Sequence, residues 1–288
     1  MYENPFLKKL LNISLILVLL LPLSGCAFHQ ETTIKPLTVT LLKVGKADAI
    51  IALSGKHALL IDAGEEDDGN EIVEFLRNNG ISKFDSMIIT HFDLDHVGGA
   101  DTILETLEIK NIYLPDYEGT HTEYTDFMIA LQHSSACVHR LSQPEVFSFE
   151  DVHVLIDPPE SYKIINPDSD YDNNFSLITT MIHGNNRLVF TGDAEKQRIK
   201  EWLYSSNATK CNFLKVPHHG IYNRALKPLF ETLNPDISVI CSSQKNPGDE
   251  KTINLLHSYC PTVYETKDGN VTIISDGKKL ESSQKHKH

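Results

Sequence analysis

The stretch Ser86–Gly99, SMIITHFDLDHVGG, sets His91, Asp93, Asp95 and His96 within six residues, after an apolar run and before two glycines. Ser86 to Thr90 reads as a buried strand. A strand ending at Thr90 delivers His91 and Asp93 two residues apart, so their side chains can point the same way. Asp95 and His96 then open a helix, and Gly98 and Gly99 let backbone pass close beside them. Capping a helix takes one carboxylate, not two with two flanking imidazoles. Carboxylate oxygens and imidazole nitrogens suit zinc, manganese or iron. Four of them on one loop are enough to hold two ions.

Three more strand ends have the same character. Asp62 closes the apolar run Leu60-Ile61, Asp193 follows Val189-Phe190-Thr191-Gly192, and His218-His219 follow Leu214-Lys215-Val216-Pro217. A strand end is the usual position for site residues in sheet proteins. Around these points the chain alternates strand meanders with single helices. Strands are expected at 37–43, 49–53, 57–61, 111–114, 146–149, 152–156, 177–182, 187–190, 213–216, 237–241, 262–264 and 270–275. Helices are expected at 70–79, around 101–107, and at 121–136, 195–204, 224–232 and 252–259. Two sheets packed face to face with helices outside, an α/β arrangement, would bury these runs.

Composition bounds the reading. The 288 residues are 41% hydrophobic and 23% charged, ordinary for a globular protein, and the net charge is −13. An acid excess of that size argues against a general phosphate-backbone binder, although a local basic groove remains open.

Residues 1–25 read as a signal peptide. Lys8 and Lys9 precede an apolar run from Leu10 to Leu23, too short and too proline-terminated for a good span. It stops at Leu23-Ser24-Gly25-Cys26, which resembles a lipoprotein processing site with Cys26 as the lipidated residue, the alternative being an uncleaved N-terminal anchor. The first reading places the chain on the extracytoplasmic face of the cell membrane, held there by lipidated Cys26. Residues 26–36 read as a polar tether, 37–280 as the folded domain and 281–288 as a polar tail. Cys137, Cys211, Cys241 and Cys260 match no paired zinc spacing. Cys211 with Cys241 is a conceivable disulfide, and buried free thiols are at least as expected.

With these motifs in order, the chain resembles the metallo-β-lactamase fold superfamily, and more narrowly the hydrolase domain of ComEC-type competence proteins. The residues that carry the resemblance are Val44–Ala49, His91–Gly99, Asn173–Leu177, Phe190–Asp193 and Lys215–Gly220. The fold it implies is a four-layer αββα sandwich, and the activity a hydrolase with two divalent ions, zinc or manganese. The resemblance assigns His91 and Asp93 to one ion, Asp95 and His96 to the other, Asp193 to both, and His219 to completing a shell. His218 would then face substrate, with Asp95, Asp193 and His218 in the catalytic roles. Asp62, and with less support Asp48, would fix ligand histidines from behind. Asn174 and Ser176 are the implied substrate contacts.

Departures shape the substrate expectation. Asp93 stands where most of the superfamily has histidine, which shifts the site toward manganese. No third ligand histidine precedes the 177–182 strand, only Asn173 and Asn174, so one ion would be weakly held. A three-histidine zinc site, as a β-lactam would call for, is missing. A phosphodiester in nucleic acid or in a cell-wall polymer is the better match. The resemblance covers the hydrolase part of competence proteins and not their membrane channel. A second class stays open, a binding module of the same fold without turnover. No protein partner is identifiable. His57, His121, His133, His139, His153 and His183 read as bystanders, the last on a turn surface.

Overall fold

The computed structural model describes residues 34–163 and 171–285. The expected signal peptide, Cys26, most of the expected tether and residues 286–288 lie outside them. Strands are β1 (Leu37–Leu41), β2 (Ala49–Ser54), β3 (His57–Ala63), β4 (Lys83–Ile88), β5 (Glu108–Pro115), β6 (Cys137–Leu141), β7 (Glu145–Phe149), β8 (Val152–Asp157), β9 (Ile178–His183), β10 (Asn186–Phe190), β11 (Phe213–Lys215), β12 (Ile237–Ile240), β13 (Thr262–Glu265), β14 (Asn270–Ser275) and β15 (Leu280–Lys285). Helices are α1 (Asp68–Asn78), α2 (Leu94–Val97), α3 (Ala100–Thr106), α4 (Thr122–His133), α5 (Tyr171–Asn174), α6 (Lys196–Leu203), α7 (Leu226–Leu233) and α8 (Glu250–Leu256).

The strands form an eight-stranded sheet, β15-β14-β1-β2-β3-β4-β5-β6, and a seven-stranded sheet, β13-β12-β11-β10-β9-β8-β7. Apolar side chains from the two inner faces, among them Val39, Ile61, Val154, Met181, Phe190 and Phe213, make the central core. Outer faces are covered separately. Ile72, Leu76, Ile103 and Phe127 from α1, α3 and α4 close over the first sheet, and Trp202, Leu229, Phe230 and Leu256 from α6, α7 and α8 close over the second. This is the expected αββα sandwich. Runs buried on both faces, such as Leu59-Leu60-Ile61, read as continuous apolar strands for that reason.

Three boundaries depart from the sequence reading. The expected tail at 281–288 contributes β15, which pairs antiparallel with β14 from Ser275↔Leu280 to Asn270↔Lys285. Its sequence LESSQK looks like a tail because it is a half-exposed edge strand with few apolar residues. β6 adds a parallel edge next to β5. At the other end, the Lys35 amide donates to Asp151 Oδ2 at 2.9 Å, so the last tether residues are tied to the domain. The four cysteines from Cys137 to Cys260 are free thiols, three of them buried. No helix among the described residues is long and apolar enough to cross a membrane.

Candidate metal centre

The parallel strands β3 and β4 of one sheet, and β10 and β11 of the other, end on the same side of the sandwich. His91 and Asp93 follow β4, and α2 opens with Asp93 at its N-cap. The loop needs room. A Cβ on Gly99 would stand 2.5 Å from the Ala63 carbonyl oxygen, and one on Gly98 would stand 2.5 Å from the Glu66 nitrogen. The two glycines thus let the ligand loop lie against the chain leaving β3. His218 (φ 45°) and His219 (φ 49°) are consecutive left-handed residues, as is Asp62 (φ 58°). Such backbone costs on the order of 1–2 kcal/mol per non-glycine residue, and its concentration here marks a site that over-determines its side-chain directions.

Three buried imidazoles are held by the same nitrogen. His96 Nδ1 donates to Asp62 Oδ2 at 2.8 Å. His219 Nδ1 donates to the Cys241 carbonyl at 3.1 Å, a group that can only accept. Thr90 gives its amide to Asp62 Oδ1 and its hydroxyl to Asp62 Oδ2, both at 2.7 Å. With its one proton committed, the Thr90 oxygen accepts from His91 Nδ1 at 3.0 Å. In the neutral ring each Nδ1 therefore carries the proton, and each Nε2 is left to present a lone pair. All three Nε2 atoms are buried and without a hydrogen-bond partner among the described residues.

They converge on carboxylates. His96 Nε2 lies 3.3 Å from Asp193 Oδ1, and His219 Nε2 lies 3.0 Å from Asp193 Oδ2 and 3.3 Å from Asp95 Oδ2. His91 Nε2 lies 3.5 Å from Asp93 Oδ2. Donor atoms of His91, His96 and Asp193 fall within 4.8 Å of one another, as do those of Asp95, His96 and His219. His96 is common to both groups, and Asp193, within the first, also reaches His219 of the second through Oδ2. Burial alone would raise the Asp193 carboxyl, but His219, His96 and Lys215 hold it well below the usual range. Burial alone would lower His219, and Asp193 pushes it up instead, to about 8. Buried, orphaned imidazole lone pairs facing a shared carboxylate fit divalent ions.

Around this centre the expectations divide. Asp62 stands behind His96 as anticipated. Asp48 makes no hydrogen bond to a histidine and stands 3.9 Å from His96 Nδ1 and 3.8 Å from His219 Nδ1. It forms an ion pair with Lys215 instead. Lys215 was not singled out. It is fully buried, 3.2 Å from Asp193 Oδ1, and donates to the Gly192 carbonyl at 2.9 Å. Burial would lower it, but Asp48 and Asp193 raise it well above an ordinary lysine. A lysine inside an otherwise apolar strand was the signal.

Ser176 and Asn174, expected at the substrate, make contacts within the fold. Ser176 is fully buried, and its hydroxyl accepts the Asp193 amide at 3.2 Å. Asn174 Oδ1 accepts the Arg198 amide at 3.1 Å in the first turn of α6. His218 is the more open of the pair, its side chain 12% exposed against 1% for His219. Its Nδ1 is 3.0 Å from Glu195 Oε1, its Nε2 accepts from Asn173 Nδ2 at 3.4 Å, and Asp193 is 3.9 Å away. His183, expected on a turn surface, is buried in β9 between Ser275 and the Lys35 carbonyl. His121, expected to be a bystander, faces the site across 4.0 Å from Asp93.

A cavity of about 680 Å³ opens over Asp93 and Asp95, its rim carrying Lys46, Glu65, Asp67 and His121. A second opening runs beside His219, lined by Lys46, Asn246, Pro247, Gly248 and Asp249. Lys46 stands at both, 3.7 Å from Asp95 Oδ2.

Residues 43–171 match the family model of the metallo-beta-lactamase superfamily. The chain is 27% identical over 205 residues to ComE operon protein 3 of Bacillus subtilis (strain 168), covering 70% of this chain and 26% of that protein. It is 26% identical over 255 residues to Recombination protein 2 of Haemophilus influenzae, covering 85% and 30%. The chain spans about a quarter to a third of the length of these curated relatives. The metallo-beta-lactamase fold protein YhfI from Bacillus subtilis shares the fold, with a TM-score of 0.53 over 86% of this chain and 100% of that one at 11% identity.

Proposed function

The chain carries a metallo-beta-lactamase superfamily domain with the fold of metal-dependent hydrolases, and on that premise we propose that it hydrolyses phosphodiester bonds with two divalent ions, outside the cell and anchored to the membrane through Cys26. The observation that carries this reading is the convergence of three orphaned Nε2 atoms on Asp193, each fixed from behind by an Nδ1 acceptor. His91, Asp93, Asp95, His96, Asp193 and His219 would hold the ions. When bound, the ions lower the pKa of water and neutralise charge growing on a phosphoryl oxygen.

The remaining roles fall to side chains at the rim and behind the centre. His218, oriented by Glu195, is placed to hold or pass a proton at Nε2. Lys46, at both openings, offers a cation to a substrate phosphate. Lys215 stays buried and balances Asp48 and Asp193. The rim is otherwise rich in carboxylates, which weighs against long polyanions and toward short or partly neutralised esters.

Turnover of bis-p-nitrophenyl phosphate by the chelator-stripped protein, with zinc and manganese added back separately, tests the reading. A single-stranded oligonucleotide run in parallel separates nucleic acid from small esters. Restored turnover with either ion supports it; a folded protein that hydrolyses neither substrate with any divalent ion is a binding module instead. Cys26→Ser tests the anchor, and retention of the variant in the membrane, uncleaved, would refute lipidation.

A further inference from the structure

The half of the centre formed by His91 and Asp93 lacks the third histidine that the resemblance leads one to expect, and neither following asparagine fills the gap. Asn173 is turned to His218 and Asn174 to α6. Between Tyr171 and these two, on the short helix α5, stands Asp172.

Asp172 is 8% exposed, and its Oδ1 is buried with no hydrogen-bond partner among the described residues. Its donor atom lies within 4.8 Å of those of Asp93 and His121. Asp93 faces both groups: Oδ2 is 3.5 Å from His91 Nε2, and Oδ1 is 4.0 Å from His121 Nε2. The Tyr117 hydroxyl accepts the Phe92 amide at 2.9 Å and hydrogen-bonds to the Asp172 carboxylate, fixing that carboxylate relative to the ligand loop. Burying one carboxylate unpaired beside another is costly unless a cation joins them.

The geometry points to Asp172, beside Asp93 and His121, as the donor that stands in for the absent histidine, so that it joins His91, Asp93 and the shared Asp193 around the first ion. This inference rests on the metal-dependent reading of the centre and names which residues complete it. Exchanging an imidazole for a second carboxylate makes this half richer in oxygen, and it should prefer manganese to zinc more than the His96–His219 half does.

The test is titration of the chelator-stripped full chain with Mn²⁺, with free ion followed by electron paramagnetic resonance and folding by the fluorescence of the buried Trp202. Wild type is expected to bind two ions. Asp172→Asn should weaken one of them by at least ~10–100-fold, the loss that removal of even a supporting partner causes, and leave the other unchanged. His121→Ala, at a half-exposed position, should shift the same ion in the same direction by less. Asp172→His should restore that ion with its preference moved toward Zn²⁺. Two ions held with wild-type affinity by Asp172→Asn, or by His121→Ala if the first variant does not fold, overturns the assignment alone. No ion bound by wild type overturns the metal-dependent reading itself.

Discussion

Asp62 decides which nitrogen two of the three buried histidines present, His96 directly and His91 through Thr90. Its two oxygens serve three donors: the Thr90 amide, the Thr90 hydroxyl and His96 Nδ1. Asp62→Asn has a single acceptor oxygen, so at least one donor goes unmet and His96 can adopt the other tautomer. Metal affinity should fall ~10–100-fold with the fold retained, as read by isothermal titration. Lys215 is the counterpart on the cationic side. Lys215→Met leaves Asp48 and Asp193 buried without their partner, and the metal-free protein should lose about 3–5 kcal/mol in urea unfolding. An unchanged midpoint would show that the pair does not balance the site. Of the two adjacent histidines, His219→Ala should lose metal, and His218→Ala should keep metal and lose turnover. Stoichiometry and rate measured on the same two proteins decide this, and two variants with full metal and full rate would make the motif structural. The six proposed metal donors were legible because they cluster where apolar runs stop. Asp172 and His121 were not, because a four-residue helix and a single residue ahead of α4 carry no periodic signal.

At the scale of the element, α6 shows why Asn174 looked like a site residue. Glu195 occupies the N-cap position, but its side chain makes no cap hydrogen bond and turns to His218. Asn174, from α5, supplies the missing acceptor to the Arg198 amide. The stretch that turns Asn173 to His218 thus also includes an asparagine that caps a helix. Asn174→Ala should cost roughly 1 kcal/mol of stability, visible as a lower melting temperature with KM and metal content unchanged. A raised KM at wild-type stability would return Asn174 to the substrate. Gly99→Ala should be destabilising by about 1–3 kcal/mol, since the added methyl meets the Ala63 carbonyl and the loop cannot retreat from the ligands. Elements with one strongly apolar face were read correctly from pattern. β6 and β15 escaped because each is an edge strand whose residues are largely half-exposed, with no alternation strong enough to stand out.

For the whole molecule, the sandwich brings the proposed ligands from both sheets to one end, so metal binding is expected to be linked to folding. An ion bound by the native state alone contributes about 2.7 kcal/mol when free ion is a hundredfold above Kd. The four-layer order was readable because fully buried strands and one-faced helices leave different patterns. The pairing of charges in the interior was not, because Lys215 meets Asp48 only once the sheets are assembled. The central claim is a two-ion centre with Asp193 shared by both halves. Elemental analysis of wild type and Asp193→Asn, purified with added manganese and desalted, tests it most directly. The account expects about two ions per wild-type chain, fewer in the variant, and a drop in phosphodiester turnover by a factor on the order of a hundred or more. Wild-type chains that emerge folded and free of metal, or a variant with full metal and full rate, would contradict it.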